Sequence, residues 1–220
     1  MENFVRWTVP DRALKAEKNP ESEVIGTDLS NIQGPPKISN VSFLQHDAEE
    51  NEWPFREKFD YVHLRCVVTC FNSTQSVMQK AFDHMHSGAW IELWDMTSEW
   101  LSPDDTVDGT ALAEWAALLV KGGKTVKRDL CKPRHYGIWL RECGFVDVVE
   151  RTMPVPNNGW SRDPKMKEAG RRYKFLLIKL LDTLNRFLVL AGLSEDEIED
   201  LRARTRRDIL DEKIHAYKNL

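Results

Sequence analysis

The chain is 220 residues long, enough for one domain with a sizeable core, and a single domain spanning 1–220 is expected. Its formal charge of −4 offers no general attraction to nucleic acid or to an anionic membrane surface, so neither is expected as a partner. The first 20 residues lack a leader-like apolar run, and the most apolar stretch, Phe175–Leu193, is interrupted by Lys179, Asp182 and Arg186; a cytoplasmic protein is expected, with a nuclear place left open. Cys66, Cys70, Cys131 and Cys143 lack zinc-site spacing and are too few for a disulfide framework, which predicts reduced thiols within the core.

Strand-like and helix-like segments alternate, the pattern of an α/β domain with a mainly parallel sheet. EVIGTD (Glu23–Asp28) is the first convincing strand, NVSFLQHD (Asn40–Asp47) the second, FDYVHLRCVV (Phe59–Val68) the third and AWIELWD (Ala89–Asp95) the fourth. Between the last two, Val77, Met78, Ala81, Phe82 and Met85 form one helical face, with Gly88 as the expected C-terminal cap. After the loop 96–109, TALAEWAALLV (Thr110–Val120) predicts a helix. HYGIWLRECG (His135–Gly144) predicts another, with His135 and Tyr136 read as surface residues, followed by a strand FVDVVER (Phe145–Arg151) and a proline-rich connection over 153–164. The last part reads as two helices, the second opening with Ser194 and Glu197 at the spacing of a capping box.

Two acids close neighbouring strands. A carboxylate at Asp28 could accept hydrogen bonds from the vicinal hydroxyls of a ribose, and Asp47 would face the same crevice, because ligands of open parallel sheets bind beyond the carboxyl ends of the strands. The alternative for each is a turn or cap residue.

In their order, the segments EVIGTDLSNIQ, NVSFLQHDAEENEWPF, FDYVHLR, HMHSGAWIELWD, ECGFVDVVERTMPVPNNGW and EKIHAY resemble the fungal LaeA-like methyltransferases, class I enzymes common in secondary-metabolite gene clusters. The resemblance runs from about Asn19 to Tyr217. It implies a Rossmann-like α/β fold: a mostly parallel twisted sheet with helices on both faces and a helical C-terminal segment, 151–216, on the substrate side. It implies S-adenosyl-L-methionine as cofactor, with Asp28 and Leu29 at the ribose, Asp47 and Ala48 at the adenine, and Arg65 to Val67 near the methionine end. The acceptor it implies is a small secondary-metabolite intermediate, methylated on oxygen; the eight tryptophans, three of them within Trp90 to Trp100, would fit an apolar one and fit ordinary packing equally well.

The chain departs from the family pattern in its first segment. The family's glycine-rich loop falls on VRWTV, Val5 to Val9, so 1–18 matches poorly. Holding two ordinary L-residues in the left-handed region would cost about 2–4 kcal/mol, roughly 30- to 1000-fold in affinity, and Trp7 would stand in the cofactor's path. MENFVRWTV is the available central strand, although it would carry Arg6 into the sheet. Family members also continue past HAY into a last strand and carry a longer N-terminal region. The sheet is therefore expected to be incomplete at both ends, with edges that a second copy or a protein partner would cover.

Methyl transfer from a sulfonium needs mostly positioning, plus a base where the acceptor is a hydroxyl or an acid. His63, which alternates with Tyr61 and Arg65, is a candidate base but reads more readily as a core histidine. Arg65 reads as an orienting group or an ion-pair partner. Asp95, with Trp94 and Glu99, would border an acceptor pocket, or these three are core aromatic and loop acids. His46 would lie on the adenine side. His84 and His86, two apart on a helix, do not share a face, and no metal site is expected. Arg202, Arg204, Arg206 and Arg207 alternate with acids and read as a solvated face. Two further readings keep the fold and drop the reaction: a pericyclase-type catalyst that shapes a reactive intermediate, and a regulatory or interaction protein.

Overall fold

The computed structural model describes the backbone of residues 3–6 and residues 16, 19–30, 38–50 and 52–220. The chain divides into two compact units, a strand unit (Met1–Asp95 with His135–Val149) and a helical unit (Met96–Arg134 with Glu150–Leu220).

The strand unit is built on five parallel strands: β1 (Asn3–Arg6), β2 (Glu23–Asp28), β3 (Val41–Gln45), β4 (Phe59–Arg65) and β5 (Met85–Trp94), in the order β3-β2-β1-β4-β5. The first strand is central, with Phe4 paired to Val24 on one side and to Tyr61 on the other. Strand order reverses at β1, the topology in which an open sheet forms a crevice at its carboxyl edge. The loop positions beyond Arg6, Trp7 among them, lie outside the described residues.

Alternation along the strands sends side chains to two faces. On one face Ile25, Val62, Leu64, Ile91 and Leu93 pack with Phe59, Val77 and Ala81. On the other, Ala16 packs with Val24 and Val41. Helix α1 (Thr74–Asp83) starts where the Ser73 side chain accepts a hydrogen bond from the Ser76 N–H, and it buries Val77, Met78 and Ala81.

Helix α1 ends earlier than periodicity predicts. The N–H of Phe59 donates to the His84 carbonyl (2.8 Å) and Met85 pairs with Phe59, so Met85 belongs to β5 rather than to the helix. The register then jumps, Tyr61 pairing with Trp90, and β5 bulges over 86–89. Gly88 serves that bulge with φ +84 instead of capping the helix.

A second correction concerns Phe145–Arg151, which follows α3 (Tyr136–Glu142) and forms no strand. Val146 and Val149 are 81% and 69% exposed, and Asp147 has φ +52. The apolar alternation is present, but no neighbouring strand pairs with it among the described residues. Tyr136, read as a surface residue, is buried with Met78 and Cys143. Of the cysteines only Cys143 is buried; Cys66 and Cys70 are exposed in the loop after β4, Cys131 is half-buried, and none of the four forms a disulfide.

The helical unit contains α2 (Ala111–Thr125), α4 (Pro164–Thr183), α5 (Asn185–Leu190) and α6 (Glu195–Leu210), with β6 (Pro154–Pro156) paired antiparallel to β7 (Tyr217–Asn219). The proline-rich connection thus contains a strand, and the terminal residues form one in a separate two-stranded sheet. The expected two final helices are three, because the apolar run breaks at Leu184. The capping box forms as predicted, with Ser194 and Glu197 exchanging hydrogen bonds. Leu112, Trp115, Leu177, Leu181, Leu188, Leu201 and Ile209 are sealed from water, each stabilising by roughly 1.5–3 kcal/mol. Gly122 is required by close packing: an added Cβ would sit 1.8 Å from the Phe187 carbonyl oxygen. No helix of the described residues is long and apolar enough to cross a membrane.

Candidate functional site

The carboxyl edge of β2 and β3 carries both expected acids. Asp28 is the last residue of β2, and its Oδ1 accepts from the Ser30 N–H (3.0 Å) and hydroxyl (3.1 Å). Asp47 lies two residues beyond β3, its Oδ1 accepting from the Glu49 N–H (2.9 Å). The strands are adjacent and parallel, and the His46 N–H donates to the Asp28 carbonyl (2.9 Å), so the two acids end at one edge. In each, one carboxylate oxygen fixes its own turn, and the other has no hydrogen-bond partner among the described residues. Leu29 is exposed (63%), whereas Ala48 is buried.

Two residues that sequence reasoning missed hold this edge. Glu49 accepts from the Asn72 N–H (3.0 Å), the Asn72 side-chain amide (2.9 Å) and the Ser73 N–H (2.8 Å), which joins the loop after β3 to the start of α1. Lys80 on α1 donates to the carbonyls of Ala48 (3.3 Å) and Glu50 (2.5 Å). The signal for Glu49 is its place in DAEE, but its partners lie 23 and 24 residues away and no local pattern names them.

Strands β4 and β5 place a polar ladder on one face: Tyr61 opposite Trp90, His63 opposite Glu92, Arg65 opposite Trp94. Glu92 accepts from the Tyr61 hydroxyl and from Trp94 Nε1 (2.7 Å), and buried His63 stands with Nε2 3.9 Å from the same carboxylate. Arg65 lies over the Trp94 ring at 5.9 Å. Asp95 ties three segments together, its Oδ2 accepting from the Val67 N–H (3.0 Å) and the Tyr136 hydroxyl (3.0 Å). Burial, reinforced by the Asp95 charge, pushes the Tyr136 phenol far above its ordinary range. The structure therefore brings His63, Arg65, Trp94 and Asp95 together in the strand unit. Glu99 belongs to the helical unit, where it pairs with Arg134.

The remaining histidines are placed as follows. Burial lowers the pKa of His46 against the opposing charges of Glu50 and Asp47. His84 caps α1 through Nδ1 to the Lys80 carbonyl (2.8 Å), while His86 falls in the β5 bulge. No group of three potential metal ligands occurs among the described residues. Arg206 is exposed and Arg202 and Arg204 are half-buried, and the three pair with Asp182, Glu114 and Asp200.

No family model matches the chain. Among curated proteins, the secondary metabolism regulator LAE1 of Cochliobolus heterostrophus is 32% identical over 216 residues, covering 93% of this chain and 69% of that protein. The chain belongs to the LaeA-like methyltransferase family. Within it, the secondary metabolism regulator laeA of Monascus pilosus is 29% identical (93% of this chain, 57% of that one). The probable methyltransferase tdiE of Emericella nidulans is 26% identical (92% and 64%). The chain thus spans about three fifths of those two relatives. Among solved structures, a phosphoethanolamine N-methyltransferase 2 of Haemonchus contortus shares the fold with TM-score 0.53 at 14% identity, covering 99% of this chain and 47% of that one. The family brings a class I methyltransferase fold.

Proposed function

We propose that the protein is an S-adenosylmethionine-dependent methyltransferase of a fungal secondary-metabolite pathway, acting on the oxygen of a small apolar intermediate. The observation that carries this reading is the shared carboxyl edge of β2 and β3, where Asp28 and Asp47 each keep a carboxylate oxygen clear of its own turn. Those oxygens suit a ribose and an adenine rim. Asp28 and Leu29 would hold the ribose, Asp47 and Ala48 the adenine, and Arg65 the methionine end. When bound, the cofactor supplies an electrophilic methyl group; the chain's own residues position it and exclude water. Trp94 and Asp95 are read as acceptor-pocket residues of the strand unit, with His63, Arg65 or Asp95 serving the reaction. The whole chain is read as one functional domain of a cytoplasmic or nuclear protein, with 151–216 serving the substrate.

Isothermal titration with S-adenosylmethionine tests the reading directly. Binding that weakens at least tenfold in Asp28→Ala is expected, and no binding at millimolar ligand would overturn it. A second reading, a regulatory protein without turnover, is favoured by the likeness to LAE1 and by the glycine-free segment Val5 to Val9. The outer edge of β5 has no strand partner among the described residues, so a second copy or a protein partner pairing there is part of that reading. Cofactor binding abolished by Asp28→Ala, together with a monomer at high concentration, would count against it.

A further inference from the structure

The proline-rich connection and the last strand meet around a cavity of about 340 Å³ in the helical unit. Pro103, Pro154, Pro156 and Met166 give it apolar walls, and Trp160 and Tyr217 bring two aromatic rings. Ser161 and Asn219 add polar groups. Every one of these residues belongs to the helical unit, so the cavity does not depend on the strand unit.

The walls are held by hydrogen bonds to their surroundings. The Trp160 N–H donates to Asn158 Oδ1 (3.0 Å), and its Nε1 donates to the Ala216 carbonyl (2.9 Å). Asn158, sealed from water, donates in turn to the carbonyls of Ile209 (3.1 Å) and Asp211 (2.9 Å) at the end of α6. Tyr217 exchanges backbone bonds with Leu101 (2.8 and 2.9 Å) and pairs with Pro156 across β6 and β7. The Met166 N–H donates to Asp163 Oδ1 (2.9 Å), the cap of α4. The prolines have fixed φ. A cavity held in this way can bind without first being ordered.

No side chain charged at neutral pH lines the cavity. Charges close by in the sequence are engaged elsewhere. His215 packs on the Trp160 ring at 4.9 Å, with its Nδ1 2.5 Å from Asp104 Oδ2. That bond, then one from the Thr106 hydroxyl, holds the Asp104 carboxyl down at about 2. Lys218, between Tyr217 and Asn219, turns to the opposite face of β7 and donates to the Ser98 carbonyl (2.9 Å). A charged ligand would therefore be buried without a counter-ion, a cost that an uncharged one avoids. Ser161 is 8% exposed, and its Oγ accepts from the Asp163 N–H (3.3 Å). Its hydroxyl proton meets no acceptor among the described residues. The Tyr217 hydroxyl and the Asn219 side-chain amide have no hydrogen-bond partner among them either.

We propose that the cavity is a binding site for a small uncharged ring compound bearing a carbonyl or ether oxygen, its rings against Trp160 and Tyr217 and its oxygen accepting from Ser161 Oγ. Apolar walls supply the affinity, and the few unspent polar groups fix the orientation. The site stands whether or not the chain transfers a methyl group.

Coumarin, an uncharged bicyclic lactone, is the probe. Titrated into the full chain, it is expected to shift the Trp160 Nε1 and Asn219 side-chain nitrogen resonances saturably at or below millimolar ligand. Coumarin-3-carboxylate, the same rings with a charge, should bind at least roughly tenfold more weakly. Ser161→Ala should weaken coumarin binding roughly two- to tenfold, the effect of one lost hydrogen bond. Met166→Trp, which fills the cavity, should abolish the shifts. Resonances that do not shift saturably overturn the proposal, as does a shift that persists in folded Met166→Trp. Should that variant fail to fold, the other two arms decide: equal binding of the carboxylate, or unaltered affinity in Ser161→Ala, overturns the proposal equally.

Discussion

Asp95 in the strand unit is half-buried and Lys218 in the helical unit is buried, and they are accommodated in opposite ways. The Asp95 carboxylate is met by two donors from two other segments, Val67 and Tyr136. Lys218, on β7, has one carbonyl, Ser98 (2.9 Å), and the face of Trp100 at 4.6 Å. Burial pushes its ammonium down from an ordinary 10.5 to about 7. The first group stabilises by joining segments. The second opposes folding and is tolerated by giving up its proton.

The largest expected effect tests the weaker arrangement. Lys218→Met should stabilise the helical unit by up to about 4 kcal/mol at pH 7, the cost of a lysine whose ammonium is pushed from an ordinary 10.5 to about 7 by burial. The pH dependence has a definite sign. Between about 7 and 10.5 the unfolded chain holds a proton on Lys218 that the folded chain lacks, so stability rises with pH across that window and is lowest below it. Urea unfolding at several pH values should show that rise in the unaltered protein and a flattened profile in Lys218→Met; equal slopes would remove Lys218 from the account.

Asp95→Ala should act the other way, destabilising by about 2 kcal/mol, because it leaves the Val67 N–H and a buried phenol unmet. Tyr136→Phe should cost about half as much. If Asp95→Ala and Lys218→Met shifted the denaturation midpoint in the same direction, the contrast would fail. Smaller still, Glu49→Ala should cost about 1 kcal/mol and weaken cofactor binding in titration, since Glu49 ties the loop bearing Asp47 to the start of α1. Smallest is an acid effect at Asp104. Its folded carboxyl titrates at about 2 against an ordinary 3.8, so its contribution is present above 3.8 and lost as pH falls towards 2. Acid unfolding followed by circular dichroism should begin at higher pH in Asp104→Asn.

Much of the strand unit was readable residue by residue. The β2 and β3 strands and the acids at their ends follow from short apolar runs closed by turn-forming side chains, and the Ser194–Glu197 cap from spacing alone. Tyr136 was misread because a tyrosine at a helix start looks solvent-facing until Asp95, 41 residues away, supplies its partner. Cys66 and Cys70 were misread because apolar neighbours suggest a core, whereas the loop after β4 leaves them at the surface. His215 and Asp104 are 111 residues apart, and neither KIHAY nor SPDD signals the other.

By itself the sequence determined where helices start, which strands end in an acid, and that the chain shares its ancestry with a methyltransferase family. Each depends on periodicity, capping or turn chemistry within a few neighbouring residues. Only the tertiary structure decided that Phe145–Arg151 meets no strand partner among the described residues, that Met85 joins the sheet instead of the helix, and that an imidazole meets a carboxylate in the helical unit. Those outcomes rest on hydrogen bonds between distant segments, whose partners local sequence cannot name.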